Sequence, residues 1–385
     1  MSSQGKGPLG SSVALLIAAV VAFAAMPVSH AASAAEEIRI GALLVLTGPG
    51  SADGIRQQRG IQFAVARANS KGGIRGRQIK AFYEDTQGKP DQGMLAFNRL
   101  VDLHQVQVSM TSFSSITPAV APLATRNKVV VINPMAQSSR LENASPYLFN
   151  VALMTKYQAP ALAKFLVDKL GKKTAAIIYE NAAAGIDGME DFKAAFLPLG
   201  GKILAEEPVE MGQTNFRPAL LKLASTRPDV VYLSLTASVG FDAFAVQVGQ
   251  IENFPLGVGT NLIAAIEGNE QVVGWYHTWV DTQITPELEA EYAKMFPGVT
   301  SQGEASSTMM DWFAREYFNG TNIALTAIDK VLGDGGPLTG EAIRKAIFDI
   351  KTFGSGDNQV TFNTNTALRH IQIVRIEKRG RTRVE

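Results

Sequence analysis

The strongest constraint on the fold is a rhythm: short β-rich runs alternate with helical patterns along the chain. Ile38–Leu46 reads as a buried strand, and Gln58–Ser70 follows with Ile61, Phe63, Ala64, Val65 and Ala68 on one helical face. Gln78–Asp85, Val106–Met110 and Val129–Asn133 repeat the strand pattern, separated by helical Gly93–Leu103 and Pro118–Asn127. Such βαβα alternation builds a parallel sheet with helices on both faces. The rhythm then restarts. Helices are expected at Tyr157–Leu170, Gly188–Leu199, Phe216–Ala224 and Val239–Gln250. Strands are expected at Thr174–Tyr179, Lys202–Pro208, Asp229–Leu235, Pro255–Gly259 and Trp275–Val280. Helices follow at Pro286–Met295, near Thr308–Tyr317, at Ile323–Leu332 and at Thr339–Ile350, and Asn358–Phe362 with Arg369–Ile376 reads as a closing hairpin. Two βα series predict an α/β protein of two similar lobes, although no direct sequence repeat links them.

The first residues read as a secretory signal, 1–34. Lys6 starts it, Val13–Met26 is apolar, and Ala32-Ser33-Ala34 offers a small-x-small cleavage site. The apolar run is shorter than the ~20 residues that span a bilayer. Removing the leader takes away Lys6 and no acid, leaving 35 bases against 35 acids. That balance supplies no basic field for nucleic acid or an anionic membrane. The chain has no cysteine, which excludes disulfides, thiolate catalysis and a lipid-modified cysteine. The expectation is a periplasmic protein, free of a direct membrane anchor once the leader is cleaved. About 350 remaining residues exceed one ordinary core and agree with two lobes.

Signals of chemistry are sparse. His104, His277 and His370 show no ligand spacing, so ordinary structural or surface roles are expected, with no metal and no cofactor. No G-x-S-x-G elbow, P-loop or H-E-x-x-H helix occurs. The glycines of "SKGGIRGRQI" (70–79) form a helix-to-strand turn and lack the GK[ST] ending of a phosphate loop. Trp275 and Trp279 read as core. What remains is a set of polar loops after strands, where open α/β sheets bind ligands. In "TSFSSITPAVAPLA" (111–124), Ser114 and Ser115 stand where a strand ends and a helix begins. They either cap the helix or, with its free N–H groups, hold an anion. Gln137, after the next strand, can face the same cleft.

Three blocks resemble the leucine/isoleucine/valine-type periplasmic substrate-binding proteins of ABC transporters: "IRIGALLVLTGPGS", "GIQFAVARANSKGGIRGRQIKAFYEDT" and "SFSSITPAVAPLATRNKVVVINPMAQS". The resemblance continues through "AAIIYENAAAGIDGMEDFKAAF", "TNFRPALLKLASTRPDVVYLSL" and "GEAIRKAI". It implies a type 1 periplasmic-binding fold, two Rossmann-like lobes joined by a three-strand hinge. The implied lobes are 36–153 plus 282–353 and 154–281 plus 354–385. The family's carboxylate grip falls on Ser114 and Ser115, with Ala136, Gln137 and Ser138 in the next loop. Tyr179, Asn181, Thr236 and Thr260 are the expected second-lobe contacts. Ala184 stands where amino-acid binders of the family usually carry an aromatic. No acid stands near Gly259 or Thr260 to pair an α-ammonium; Asp53 or Asp187 would have to serve from other loops. A buried ammonium without a counter-charge costs several kcal/mol in order of magnitude. The expected ligand is therefore a small carboxylate, a 2-oxo acid or an aromatic acid, with a branched-chain amino acid as the alternative. The implied role is capture for an inner-membrane ABC permease, without catalysis. A periplasmic sensor of the same fold and an exported α/β enzyme are the rival readings.

Overall fold

The computed structural model describes residues 36–385 except 211, 236–239, 281–283, 300–309 and 356–357, together with 1 and 4–5. The expected leader falls almost wholly outside them, as does Thr236. The first series comprises β1 (Ile38–Leu44), α1 (Ser51–Ser70), β2 (Ile79–Asp85), α2 (Pro90–Asp102), β3 (Val108–Met110), α3 (Thr117–Asn127), β4 (Val130–Asn133) and β5 (Leu148–Asn150). Its strands form one parallel sheet in the order β2-β1-β3-β4-β5. β1, β3 and β4 are buried almost throughout, as a sheet covered on both faces requires.

The second series comprises α4 (Thr155–Asp168), β6 (Thr174–Glu180), α5 (Ala183–Phe196), β7 (Lys202–Val209), α6 (Arg217–Ser225), β8 (Val230–Ser234), α7 (Phe241–Gly249), β9 (Leu256–Gly259) and β10 (Tyr276–Trp279). These strands are parallel in the order β7-β6-β8-β9-β10. The topology of the first sheet is thus repeated although the sequences are not. The chain goes on through α8 (Pro286–Met295), α9 (Trp312–Gly333), α10 (Gly340–Ile350), β11 (Thr352–Phe353), β12 (Val360–Phe362), β13 (Ala367–Leu368), β14 (Gln372–Ile376) and β15 (Arg381–Arg383). β14 pairs antiparallel with β10, and β15 with β14, so the second sheet is mixed.

Three sequence expectations need correction. α1 starts at Ser51, two turns before Gln58, because Gly50, six residues after β1 ends, takes φ 90° and turns the loop into the helix. α9 is one helix across the polar stretch 319–322 that suggested a break. Gly320 is what lets it pack there: a Cβ would lie 2.9 Å from Pro134 Cγ. The closing hairpin does not form. β12 pairs with β11 and β13 in a small antiparallel sheet, and Phe362 packs edge-on against Phe149 at 5.5 Å in the first sheet's core. β14 crosses instead to the second sheet.

α1 and α9 cross closely over the first sheet. Gly60 permits it, since a Cβ there would meet the Ala314 carbonyl oxygen at 2.1 Å. Phe63 and Phe318 fill the crossing at 5.3 Å between ring centres. Trp275 and Trp279 are buried, as expected of core residues. His277 is fully buried, with Nδ1 2.7 Å from the Thr278 carbonyl and Nε2 2.7 Å from Glu267. Among the described residues no helix is long and apolar enough to cross a membrane.

Candidate functional site

In both sheets the strand order reverses direction next to the first strand, between β1 and β3 and between β6 and β8. Successive helices there leave on opposite faces and open a crevice beyond the strand ends. A cleft of about 610 Å³, counted with its open mouth, lies at these ends. α1 lines it with Asp53 and Gln57, the β3–α3 joint with Phe113, Ser114 and Ser115, and the loop after β4 with Met135, Ala136 and Gln137. The second series contributes Ala182, Ala183, Ala184 and Leu262, and the start of α9 adds Phe313.

The β3–α3 joint resolves the choice between capping and exposure. No side chain caps α3. Thr117 instead turns its hydroxyl back onto the Phe113 carbonyl at 2.9 Å and lies 3.2 Å from the Thr111 hydroxyl. Tyr317 of α9 braces the joint from behind by donating to the Thr111 carbonyl at 2.7 Å. Phe113 is held at φ 63°, the left-handed region that costs a non-glycine residue about 1–2 kcal/mol. That bend presents Ser114 and Ser115 to the cleft. The Ser114 hydroxyl accepts only a long 3.4 Å bond from the Ser138 N–H, and the Ser115 hydroxyl has no protein partner among the described residues. Both serines precede the first helical turn, where free N–H groups and the helix dipole favour an anion.

The loop after β4 is shaped by a residue the sequence reading passed over. Asn133 is fully buried; its Oδ1 accepts from the Ala136 N–H at 2.8 Å and its Nδ2 donates to the Ala136 carbonyl at 2.9 Å. The loop is thereby curled under the cleft. Gln137 lines the wall, but its amide is engaged: Nε2 donates to Asn261 Oδ1 at 2.8 Å, and Oε1 accepts from Gln158 at 3.2 Å. Gln158 also accepts from the Thr278 hydroxyl, so this network joins the two series at the base of the cleft.

The opposite wall is three alanines at the start of α5. The first bond of this helix runs from the Ile186 N–H to the Ala182 carbonyl, so the preceding N–H groups precede any intrahelical pairing. Asp53 is buried in the first turn of α1 and is paired with Arg56, whose guanidinium lies 4.2 Å above the Phe313 ring. The one acid among the described lining residues is thus already matched by a base.

Of the expected site residues, the structure brings Ser114, Ser115, Ala136, Gln137, Asp53 and Ala184 to one cleft. Ser138 is fully buried and its hydroxyl donates to Asp187, which also meets Arg140 at 2.8 Å. Tyr179 packs in the second sheet's core, Asn181 is exposed and donates to Glu210 at 3.2 Å, and Thr260 is buried beside the turn Asn261–Ile266. None of these four lines the cleft, and Thr236 lies outside the described residues. Gln57, Met135, Leu262 and Phe313 went unnoticed. Asp53 and Gln57 are four apart, and a helix begun at Ser51 would have put them on one face. Among the described residues no cluster of three His, Asp or Glu side chains could hold a metal.

Known proteins agree with this architecture. Leu/Ile/Val-binding protein homolog 3 of Brucella melitensis is 30% identical over 214 residues, 55% of this chain and 58% of that protein. The chain therefore spans somewhat more than half the length of that relative. A solute-binding protein of an ABC transporter from Rhodopseudomonas palustris, solved with 3,4-dihydroxybenzoic acid, superposes with a TM-score of 0.74 at 20% identity, covering 88% of this chain and 93% of that one. A branched-chain amino acid transporter substrate-binding protein from Streptococcus pneumoniae, solved with isoleucine, also gives 0.74, at 18% identity and 91% and 99% coverage. The family model for periplasmic binding proteins matches residues 37–381. The chain belongs to the periplasmic binding protein family.

Proposed function

We propose that this protein captures a small carboxylate between two closing lobes and delivers it to an ABC permease, without chemical turnover. The observation that carries the reading is the cleft itself. Ser115 offers an unengaged hydroxyl and Ser114 one that accepts only a long bond, both at a helix start; the remaining walls are mostly apolar, and the only acid among the described lining residues is paired with Arg56. A carboxylate gains charge-assisted hydrogen bonds there, each worth roughly 1.5–3 kcal/mol. An ammonium would find no net negative charge. The alanines 182–184 leave room for a ring or a branched body. Two proteins of the same fold carry an aromatic acid and a branched-chain amino acid respectively, the two ligand classes at issue.

The proposed lobes are the first sheet with α8–α10 and the second sheet with its helices. The chain passes between the sheets after β5, after β10 and after β13. Because β12 and β13 pack on the first core, the last piece of the second lobe starts after Leu368. Hinged closure around these passages would exclude water from the ligand. Export to the periplasm accompanies this reading, and a sensor of the same fold remains its nearest rival. Calorimetry of the purified protein with benzoate, leucine and 4-methyl-2-oxopentanoate tests it. Binding of either non-amino acid is expected; tight leucine binding with neither of the others would overturn the reading, since the ammonium would then be essential.

A further inference from the structure

We propose that Gln57 reads a hydroxyl group on the body of the ligand, so that the preferred guest is a hydroxylated carboxylic acid. This rests on the carboxylate reading above and assigns the other end of the same guest. Gln57 is 1% exposed and lines the cleft one helical turn beyond Asp53. Its Oε1 has no hydrogen-bond partner among the described residues, and its Nε2 lies 3.9 Å from the Met135 sulfur. A thioether sulfur accepts weakly and donates nothing. The amide is therefore better turned with its NH2 toward Met135, which leaves Oε1 as a buried acceptor on a residue of the cleft wall. Buried acceptors are rarely left without a donor, because each loses its water on folding.

What could supply that donor is narrow. A carboxylate has none at neutral pH, so the group belongs to the body of the guest. An ammonium would donate, but it carries a charge, and the neighbouring Asp53 is already matched by Arg56 over Phe313. A neutral hydroxyl meets a neutral carbonyl with no charge left buried. The rest of the lining at this end is apolar, with Met135 and Phe313, which suits the hydrocarbon that carries the hydroxyl.

The test is calorimetry with benzoate and its ortho-, meta- and para-hydroxy derivatives on the wild type, Gln57→Met and Gln57→Leu, with melting curves to show that the variants fold. At least one hydroxy isomer is expected to bind the wild type about tenfold more tightly than benzoate, the size of one hydrogen bond. In either folded variant that preference should shrink to within about threefold, whatever the variant does to benzoate affinity itself. Equal wild-type affinities, the result expected if a bound water serves Oε1, would overturn the assignment, and so would a preference that survives in the variants. In both of those cases benzoate still binds and the carboxylate reading stands. Failure of the wild type to bind any of the four benzoic acids would also overturn the assignment, and the carboxylate reading falls with it only if 4-methyl-2-oxopentanoate fails to bind as well.

Discussion

At the scale of single residues, the site depends on side chains with little to do in the fold. Ser114 and Ser115 cap nothing, and of their hydroxyls only that of Ser114 takes a bond, a long one from the Ser138 N–H. The double change Ser114→Ala, Ser115→Ala should therefore cost affinity and leave stability nearly alone. Loss of two hydroxyls from a carboxylate grip is expected to weaken binding about tenfold to a hundredfold. The apo melting temperature should move by no more than about 2 °C, because neither half-buried hydroxyl caps the helix or carries a strong bond. Titration of both proteins with the best wild-type ligand checks the first part and a thermal melt the second. An unchanged affinity would place the anion elsewhere. Ala184→Phe acts from the opposite wall: its ring would occupy the room left by the alanines, and affinity for aromatic acids should fall by more than tenfold, since overpacking costs about 1–3 kcal/mol. Retained benzoate affinity in that variant would show that the guest sits away from α5. Why Ser114 was legible and Gln57 was not is a matter of backbone. The serines stand at an obvious strand-to-helix joint flanked by Pro118, whereas Gln57 becomes a wall residue only once Gly50 starts the helix two turns earlier.

Elements position these residues, and the α1–α9 crossing does most of that positioning. Asp53 and Gln57 lie near the start of α1, Phe313 near the start of α9, and Gly60 is where the two helices touch. Gly60→Ala places a Cβ 2.1 Å from the Ala314 carbonyl oxygen, so the helices must separate. A loss of about 3 kcal/mol in unfolding free energy is expected, together with weaker ligand binding as the two walls move apart. Denaturant unfolding and calorimetry on one preparation check both; a loss of stability with full affinity would show that the crossing does not set the wall. The same elements show how far the sequence carried. The alternation of strand-like and helix-like runs disclosed nine of the ten parallel strands; β5, only three residues long, was missed. β12 was expected within Asn358–Phe362, but its partners β11 and β13 were missed because strands of two residues leave no periodic signal. Contacts expected at Tyr179, Asn181 and Thr260 rested on family positions, and a shift of one residue in a strand turns a side chain from cleft to core.

For the whole molecule, the question is what keeps two sheets with separate cores in a fixed relation while a cleft stays open between them. Buried polar groups sit at the passages. The Gln137–Gln158–Asn261 amides join the series at the base of the cleft. Arg369, between β13 and β14, makes a double ion pair with Glu316 of α9 at 2.7 and 3.1 Å. In the second sheet, Glu267 meets His277 at 2.7 Å and Arg381 at 2.7 Å, and Arg381 lies 3.4 Å above Trp279. Burial alone would push the Glu267 carboxyl up. The bond to His277, the charge of His277 and the Arg381 guanidinium outweigh it and hold the carboxyl below the usual range. A group depressed in the folded state stabilises the fold fully above its unfolded pKa, about 4.3. That stabilisation is lost as pH falls through the lower folded value. Glu267→Gln leaves Arg381 without its partner and should cost about 3 kcal/mol near neutral pH. The gap in melting temperature between wild type and variant, a few degrees at pH 7, should then narrow as the pH drops below about 4, because the wild type progressively loses the same charge. Melts in buffers spanning neutral to acid pH check this. A gap that stayed constant would mean that the carboxylate contributes through packing alone. The triad would then be no part of what ties β15 and β10 to the sheet that faces the ligand.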